Sequence, residues 1–521
     1  MTNVAVASPL RLATEAGMDA GRRGGNAIDA ALATAAVLTV AYPASCAIGG
    51  DLLALVRERD GRVTFINASG KALRATDADT VRSRYNAMPI HGPLPITVPG
   101  VVGGWDALVQ HGAALAWADL LAPARAAATD GIPVAPGLAE SIAEAVPSLG
   151  KFPDLAAVLA PNGSPLAVGE TLRQPALGRT FEVLSDAGSG ALYDGELSDA
   201  FCSGLAARGV PITREDLRDF DVEESSPLVA KVAGWRVQAG RPNSQAYMIP
   251  QLLAMLAAVE SSNAEHPLHR RVPAHRLAFA FYLATLERDN VLGDPIAMSH
   301  DVGELLTPDA TRSFAQRVVD GPLSDVGTSA STPHPTGDTV AVVAADDQGR
   351  SVSLIQSLFH GFGSLILEPT TGILMHDRGA CFSLDPASPN ALAPGKRPLH
   401  TLSPVLAESI ARDDERLVVG TMGGHAQPQI LTQVLSHLMA GQSAQQSVSL
   451  PRMTVGAWDD DESADTLAWE QDLDPKMASE LGQYPGTTMR VTPHHSRMGH
   501  AHAIRVTASG MDVGTDPRAD G

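Results

Sequence analysis

Three observations predict a layered α/β fold in which helices lie over β-sheet. Hydrophobic residues make up 44% of the 521-residue chain but aromatics only 4%, so alanine and glycine fill the interior and let helices and sheets approach closely. Residues from about 105 to 320 carry mainly helical patterns. From residue 339 onward the pattern changes to short strands. A chain that separates helix from strand in this way satisfies both by stacking them in layers. Its length is enough for two conventional domains or one large layered unit.

The elements follow in order. Val4–Ala7 reads as a short strand, and Pro9 opens a helix that stops at Gly24-Gly25. Asn26 caps the next helix, with Asp29 in its first turn. The run Ala27–Ala41 is almost wholly apolar, which predicts a buried helix. Pro43 ends it, and Gly49-Gly50-Asp51 turns into the strand Leu52–Val56, with Val63–Ile66 as its hairpin partner. Helices are expected at Trp105–Gly112, Leu115–Ala128, Thr171–Ala187, Gln245–Val259 and Ala274–Glu287, with one strand, Leu228–Ala239, among them. The stretch 324–337 has no periodicity and is rich in Ser, Thr and Pro, so it reads as a linker. Strands are expected after it at 339–345, 351–358, 364–367, 372–375, 416–420, 488–492 and 501–507. The N-terminal strand pair is expected to join them in sheet. No internal repeat is present.

The bulk properties exclude several classes. A net charge of −20, from 58 acidic and 38 basic residues, repels nucleic acid and anionic membrane. Three cysteines without CxxC spacing, Cys46, Cys202 and Cys381, form neither a disulfide framework nor a structural zinc site. The N-terminus has no basic, then apolar, leader pattern, and no uncharged run reaches the ~18 apolar residues of a membrane span. A cytoplasmic location is expected.

The segment Pro335-Thr-Gly-Asp-Thr339 leads into Val340–Ala345, which pairs with Ser351–Leu358 across a turn at Asp346–Gly349. Matching Ala345 with Arg350 puts Thr339 opposite Gln356, with Ser357 beside the Asp338–Thr339 bond. A threonine hydroxyl is a feeble nucleophile unless a base serves it. The α-amine of the same residue could do so, since its ordinary pKa of about 7.7–8.0 lies near working pH. That requires Thr339 to become a chain end. Gly337 gives the backbone freedom to strain the bond before it. From these residues alone, a strand-head threonine of good β-propensity explains the run as well.

Motifs along nearly the whole chain resemble those of the γ-glutamyltranspeptidase family of N-terminal-nucleophile hydrolases. They are Gly24–Ala31, Ile48-Gly-Gly50, Val98–Gly104, Gly337-Asp-Thr339, Val352–Leu358, Phe362-Gly-Ser364, Gly395–Pro404, Gly420–Gly424, Gly499-His-Ala501 and Asp516-Pro-Arg518. Their order and spacing carry the resemblance. It implies a four-layer αββα sandwich and self-cleavage between Asp338 and Thr339. The products would be a large subunit, 1–338, and a small subunit, 339–521, held as one structural unit. Thr339 would be nucleophile and amine base, Ser357 would hydrogen-bond it, and Gly423 and Gly424 would form the oxyanion hole. Bare amides before a helix-like Pro428–Gln433 suit that role. No metal or cofactor is implied. The partners would be a small-molecule amide substrate and the two subunits of one precursor. A homodimer of the precursor or of the cleaved pair stays open.

The chain departs from the γ-glutamyl pattern where that family holds the glutamyl α-amino and carboxylate groups. The amide position is Arg378 and the acidic position is Cys381, with Asp377 nearby. Ser69 stands at the carboxylate-binding arginine, with Lys71 two residues on, and His400 and Thr401 replace paired serines. The lid is absent from the short segment Pro389–Lys396. Arg378 repels an ammonium and attracts a carboxylate. The pattern is similar to the lidless branch with oxamate amidohydrolase-like and glutaryl-cephalosporin acylase-like members. It implies hydrolysis of an amide of a small carboxylate-bearing acyl group. The alternatives are a genuine γ-glutamyl transpeptidase or glutathione hydrolase, and an uncleaved, inactive relative serving as a binding or scaffold protein. His494, His495, His500 and His502 read as strand and loop histidines, not a metal cluster, because no Cys or close carboxylate completes a set. Asp459–Glu462 reads as a solvated loop.

Overall fold

Alternation along the strands sorts the side chains into layers. In the computed structural model, which describes residues 2–259, 267–327, 338–458 and 463–520, the strand Asp338–Asp346 turns Val340, Val342 and Ala344 toward helices. It turns Ala341, Val343 and Ala345 toward a second sheet. Its sheet runs in the order Val4–Ala7, Asp338–Asp346, Ser351–Phe359, Asp51–Arg57, Val63–Ala68, Glu223–Ser225, antiparallel throughout. The facing sheet has the order Gly510–Thr515, Ala501–Thr507, Arg416–Thr421, Val405–Ser409, Trp235–Ala239, Leu228–Val232, also antiparallel.

Leu53, Leu55, Phe65 and Ile355 from the first sheet meet Leu406, Val418, Ile504 and Val506 from the second. Outside the first sheet lies the helix Ala27–Ala41, buried along all 15 residues and started by an Asn26–Asp29 capping box. Outside the second lie Met248–Ala258, Ala274–Val291 and Gln427–Met439. The result is the αββα sandwich. Both sheets combine strands from before and after residue 339: Val4–Ala7 and Asp51–Arg57 flank the hairpin in the first, and Val405–Ser409 pairs with Trp235–Ala239 in the second. Among the described residues no helix is long and apolar enough to cross a membrane.

Several expectations shift. Leu228–Ala239 is not one strand but a hairpin turning at Ala233-Gly234, where φ is 47° and 84°. That is the left-handed pair a two-residue hairpin needs. The strands at 364–367 and 372–375 shrink to the pair Leu367–Glu368 and Ile373–Leu374. Val405–Ser409 and Gly510–Thr515 are additional strands. Helix boundaries move by a few residues, to Val101–Gln110, Trp117–Asp130 and Pro175–Ala187. The linker at 324–337 and the acidic run at 459–462 fall largely or wholly outside the described residues.

Candidate functional site

The hairpin register places the proposed nucleophile. Ser351 pairs with Ala345 and Gln356 with Val340, one residue from the expected match. Phe359 then pairs with Asp338 after an irregularity. Ser357 and Leu358 thus share the place opposite Thr339, a bulge that aims a side chain at it. Thr339 is 2% exposed. Its Oγ1 donates to Ser357 Oγ at 3.1 Å, Ser357 Oγ donates to the Asp338 carbonyl at 2.7 Å, and the Phe359 N–H donates to Ser357 Oγ at 2.8 Å. The one hydrogen of Ser357 therefore polarises the carbonyl that Thr339 would attack. The Asp338 side chain lies against Gly361, and burial together with Glu144 pushes its carboxyl up to about 6, against the opposing charges of His360 and Arg497.

Gly49 and Gly50 explain the next part of the site. A Cβ on Gly50 would lie 2.4 Å from the Ser357 carbonyl oxygen, and one on Gly49 2.2 Å from that of Leu374. Only bare Cα atoms let this turn press against the hairpin, and it delivers Asp51 into the interior. Asp51 is fully buried. It faces Arg378 Nε at 3.2 Å, His376 Nδ1 at 3.1 Å and His400 Nε2 at 3.2 Å, and it accepts from the Gly70 N–H at 3.2 Å. Burial alone would raise its pKa, but His376 and His400 outweigh that and hold the carboxyl well below its usual range. Burial and then Arg378 push His400 down to about 4. Neutral His400 accepts the Leu402 N–H at Nδ1 and donates to Asp51 from Nε2.

Arg378 is buried with its guanidinium carbon 4.4 Å from the Phe359 ring centre. Phe359 is the residue paired with Asp338, so the cation stands one ring away from the Asp338–Thr339 peptide. Nη1 donates to Thr401 Oγ1 at 3.0 Å and approaches Cys381 Sγ at 3.8 Å, while Nη2 is buried and finds no partner among the described residues. Burial pushes the Cys381 thiol up to about 11, so it stays protonated.

The structure brings Arg378, His400 and Thr401 together and separates the rest. Asp377 is buried, but both of its oxygens are taken by His360, through Nδ1 at 2.6 Å and the backbone N–H at 3.1 Å. Ser69 is buried and hydrogen-bonded to Asn67 at 2.6 Å. Lys71 instead faces a surface cavity of about 480 Å³, which Ser69 also lines, and pairs with Asp221 at 3.6 Å. Asp51, His376 and His360 complete the site unannounced. The one sequence signal for Asp51 is a carboxylate directly after Gly-Gly at the head of an apolar strand.

Gly423 and Gly424 lie in the turn between the strand Arg416–Thr421 and the helix Gln427–Met439, at φ 130° and 51°. The turn follows Gly420, whose Cβ would meet Ala341 Cβ at 3.1 Å, two residues from Thr339. Gln245, held by Arg288 at 3.0 Å, donates to the carbonyls of Gly424 and Thr401, both at 3.0 Å, fixing the peptide planes. No described residue accepts from the Gly423 or Gly424 N–H. His500 and His502 are buried, and burial pushes them down to about 4 and about 3. Among the described residues no cluster of His, Cys, Asp and Glu could hold a metal.

Comparison with known proteins places this geometry. The profile of the Gamma-glutamyltranspeptidase family matches residues 13–521. The oxamate amidohydrolase proenzyme of Klebsiella pneumoniae is 34% identical over 99% of this chain and 97% of its own. The glutathione hydrolase-like YwrD proenzyme of Bacillus subtilis is 32% identical over 100% and 98%. The cephalosporin acylase of Bacillus halodurans superposes with a TM-score of 0.87 at 31% identity, over 100% of this chain and 95% of its own. The chain belongs to the gamma-glutamyltranspeptidase family of N-terminal-nucleophile hydrolases and is an enzyme of that class.

Proposed function

We propose that the protein cuts itself between Asp338 and Thr339 and then hydrolyses the amide of a small carboxylate-bearing acyl group through a threonyl ester. The observation that carries this reading is the hydroxyl relay from Thr339 to Ser357 to the Asp338 carbonyl. In self-cleavage Thr339 Oγ1 attacks the Asp338 carbonyl carbon. The Thr339 proton passes to Ser357 as the Ser357 proton passes to the carbonyl oxygen. Collapse breaks the C–N bond, returns that proton to the Thr339 nitrogen and leaves an ester, which water hydrolyses. Large (1–338) and small (339–521) subunits result, each contributing strands to both sheets. In turnover the freed amine takes the hydroxyl proton and hands it to the leaving amine. The Gly423 and Gly424 amides receive the oxyanion, and water deacylates the enzyme.

Substrate choice rests on Arg378. Asp51 engages only Nε, and Nη2 keeps a buried donor that costs ~1–3 kcal/mol while unmade. An acyl carboxylate oxygen would satisfy it. The names of the relatives, oxamate amidohydrolase and cephalosporin acylase, fit small acyl amides. Genuine γ-glutamyl transfer is disfavoured because Asp377 is spent on His360 and Cys381 offers no charge to an ammonium. Two tests decide. A denaturing gel should show two bands, the smaller beginning at Thr339, whereas Thr339→Ala should run as one band of 54.2 kDa. A single persistent wild-type band would instead favour a scaffold. Among γ-glutamyl, glutaryl and oxamate amides, Arg378→Met should raise KM at least about tenfold for turned-over carboxylate substrates and leave neutral acyl amides unchanged. Turnover of neutral amides alone would remove the role of Arg378.

A further inference from the structure

The C-terminal Asp516-Pro-Arg518 and the Gly499-His500 segment have no part in the chemistry above, yet a continuous set of contacts ties them to the oxyanion turn. Arg452 is 1% exposed and donates through Nη1 to the carbonyls of Met498 at 3.1 Å and Gly499 at 2.9 Å. Its Nη2 donates to Val448 O and pairs with Asp516 Oδ2 at 2.6 Å, and the same oxygen accepts from the Ala501 N–H at 2.7 Å. Asp516 Oδ1 accepts from Arg518 Nη1 at 2.9 Å, and Arg518 Nε donates to Glu470 Oε1 at 3.0 Å. Met498, Gly499 and Ala501 are therefore gripped at three backbone atoms by buried charge.

The gripped segment is the wall behind the two glycines. The His500 carbonyl accepts the Met422 N–H at 3.3 Å, and Gly499 Cα lies 3.9 Å from where a Cβ on Gly423 would be. Gly499 itself has φ 87°. A Cβ there would lie 2.8 Å from Met422 O and 2.6 Å from Ile430 Cδ1, so this wall touches the turn with no slack. A two-point guanidinium contact fixes a loop in a way that a lysine, a single flexible point charge, does not.

We propose that Arg452, oriented by Asp516, whose other oxygen Arg518 holds, is a positioning residue that keeps the Gly423–Gly424 amides in register for turnover. This rests on those amides being the oxyanion donors. It makes a distinction that a general fold-stabilising role does not. Self-cleavage draws its carbonyl polarisation from Ser357, whereas turnover draws it from the glycine turn. Loosening the wall should slow the second reaction and spare the first.

The experiment follows self-cleavage of freshly made precursor on gels. In the cleaved protein it follows the burst of p-nitrophenolate from p-nitrophenyl glutarate, an activated acyl donor. Arg452→Lys should lower the burst rate about 10–100-fold, as misplaced donors do, with self-cleavage within about twofold of wild type. Gly499→Ala keeps the charged cluster and pushes on Met422, so it should reproduce that split even where Arg452→Lys fails to fold. A burst rate within twofold of wild type in a folded variant, or equal slowing of both reactions, overturns the proposal. A wild-type burst that is absent, or that persists in Thr339→Ala, would instead overturn the nucleophile reading beneath it.

Discussion

Replacing Asp338 with asparagine in a Thr339→Ala chain, which should remain uncut, is expected to stabilise the protein at neutral pH and to do much less in acid. The Asp338 carboxyl moves from 3.8 to about 6, with burial as the largest cause, Glu144 and Asp377 adding to it, and His360 and Arg497 opposing it. A raised carboxyl means that the folded chain holds the proton more tightly than the unfolded one. The stability this confers is complete below about pH 4 and is lost as pH rises through about 6. The interval is worth at most ~3 kcal/mol. It falls below that limit because Asp338 keeps part of its surface in solvent, where charge is screened. Asparagine carries no such cost.

Urea unfolding of the two uncut chains should show a gap that widens by about 2 kcal/mol between pH 4.5 and 7.5, in favour of asparagine. A gap that does not change with pH, or an asparagine chain that is less stable at pH 7.5, would refute the reasoning. The same substitution in a chain that has cut itself should show little of the effect, because residue 338 is then a free end able to leave the strand. Relief of ~3 kcal/mol shifts an equilibrium about a hundredfold, enough to help make the cut irreversible at neutral pH.

Three further outcomes follow from the geometry. Gly423→Ala should lower turnover about 10²–10³-fold, because φ is 130° and the new Cβ would lie 2.7 Å from Ile430 Cδ1, whereas Gly424→Ala, at φ 51°, should cost far less; steady-state kinetics on a turned-over amide compares them. Asp51→Ala should destabilise the fold by about 3–5 kcal/mol in urea titration, since it strands buried Arg378 without its partner. Ser357→Ala should slow self-cleavage about a hundredfold on a gel time course and Ser357→Thr should restore it, since the relay needs a hydroxyl and nothing more.

The layers and the hairpin that begins at Thr339 were legible because they are local. A strand read by its period of two leaves only a one-residue slip, and Ser357 stays beside the Asp338–Thr339 bond under that slip. The bulge that seats Ser357 was not legible, since Leu358-Phe359 gives no turn chemistry and Phe359 takes φ 83°. Val405–Ser409 hides behind Pro404 and ends in polar residues, and Gly510–Thr515 is an edge strand with two glycines. The substrate side was the least legible part. Arg378 reads as a free cation from its own neighbourhood. Its partner Asp51 lies 327 residues away, and only the fold brings them together. Lys71, two residues from buried Ser69, emerges on the surface side of the turn and meets Asp221, which no local pattern announces.

The relay also explains why one hairpin can serve two reactions in the proposed scheme. Ser357 has a single hydrogen, and in the uncut chain it is committed to the Asp338 carbonyl while its lone pairs receive Thr339 and the Phe359 N–H. That leaves the uncut nucleophile directed at its own carbonyl and at no other. When the bond breaks and residue 338 departs, the hydrogen of Ser357 is released and the Thr339 nitrogen gains its base character at the same moment. The oxyanion task then has to pass to other donors, because Ser357 lies on the side vacated by Asp338. The Gly423–Gly424 turn, held from the second sheet, suits that transfer. A single cut thereby changes the base, the carbonyl and the oxyanion donors together, which is why an uncut chain is expected to be inert toward substrate however well its pocket is formed.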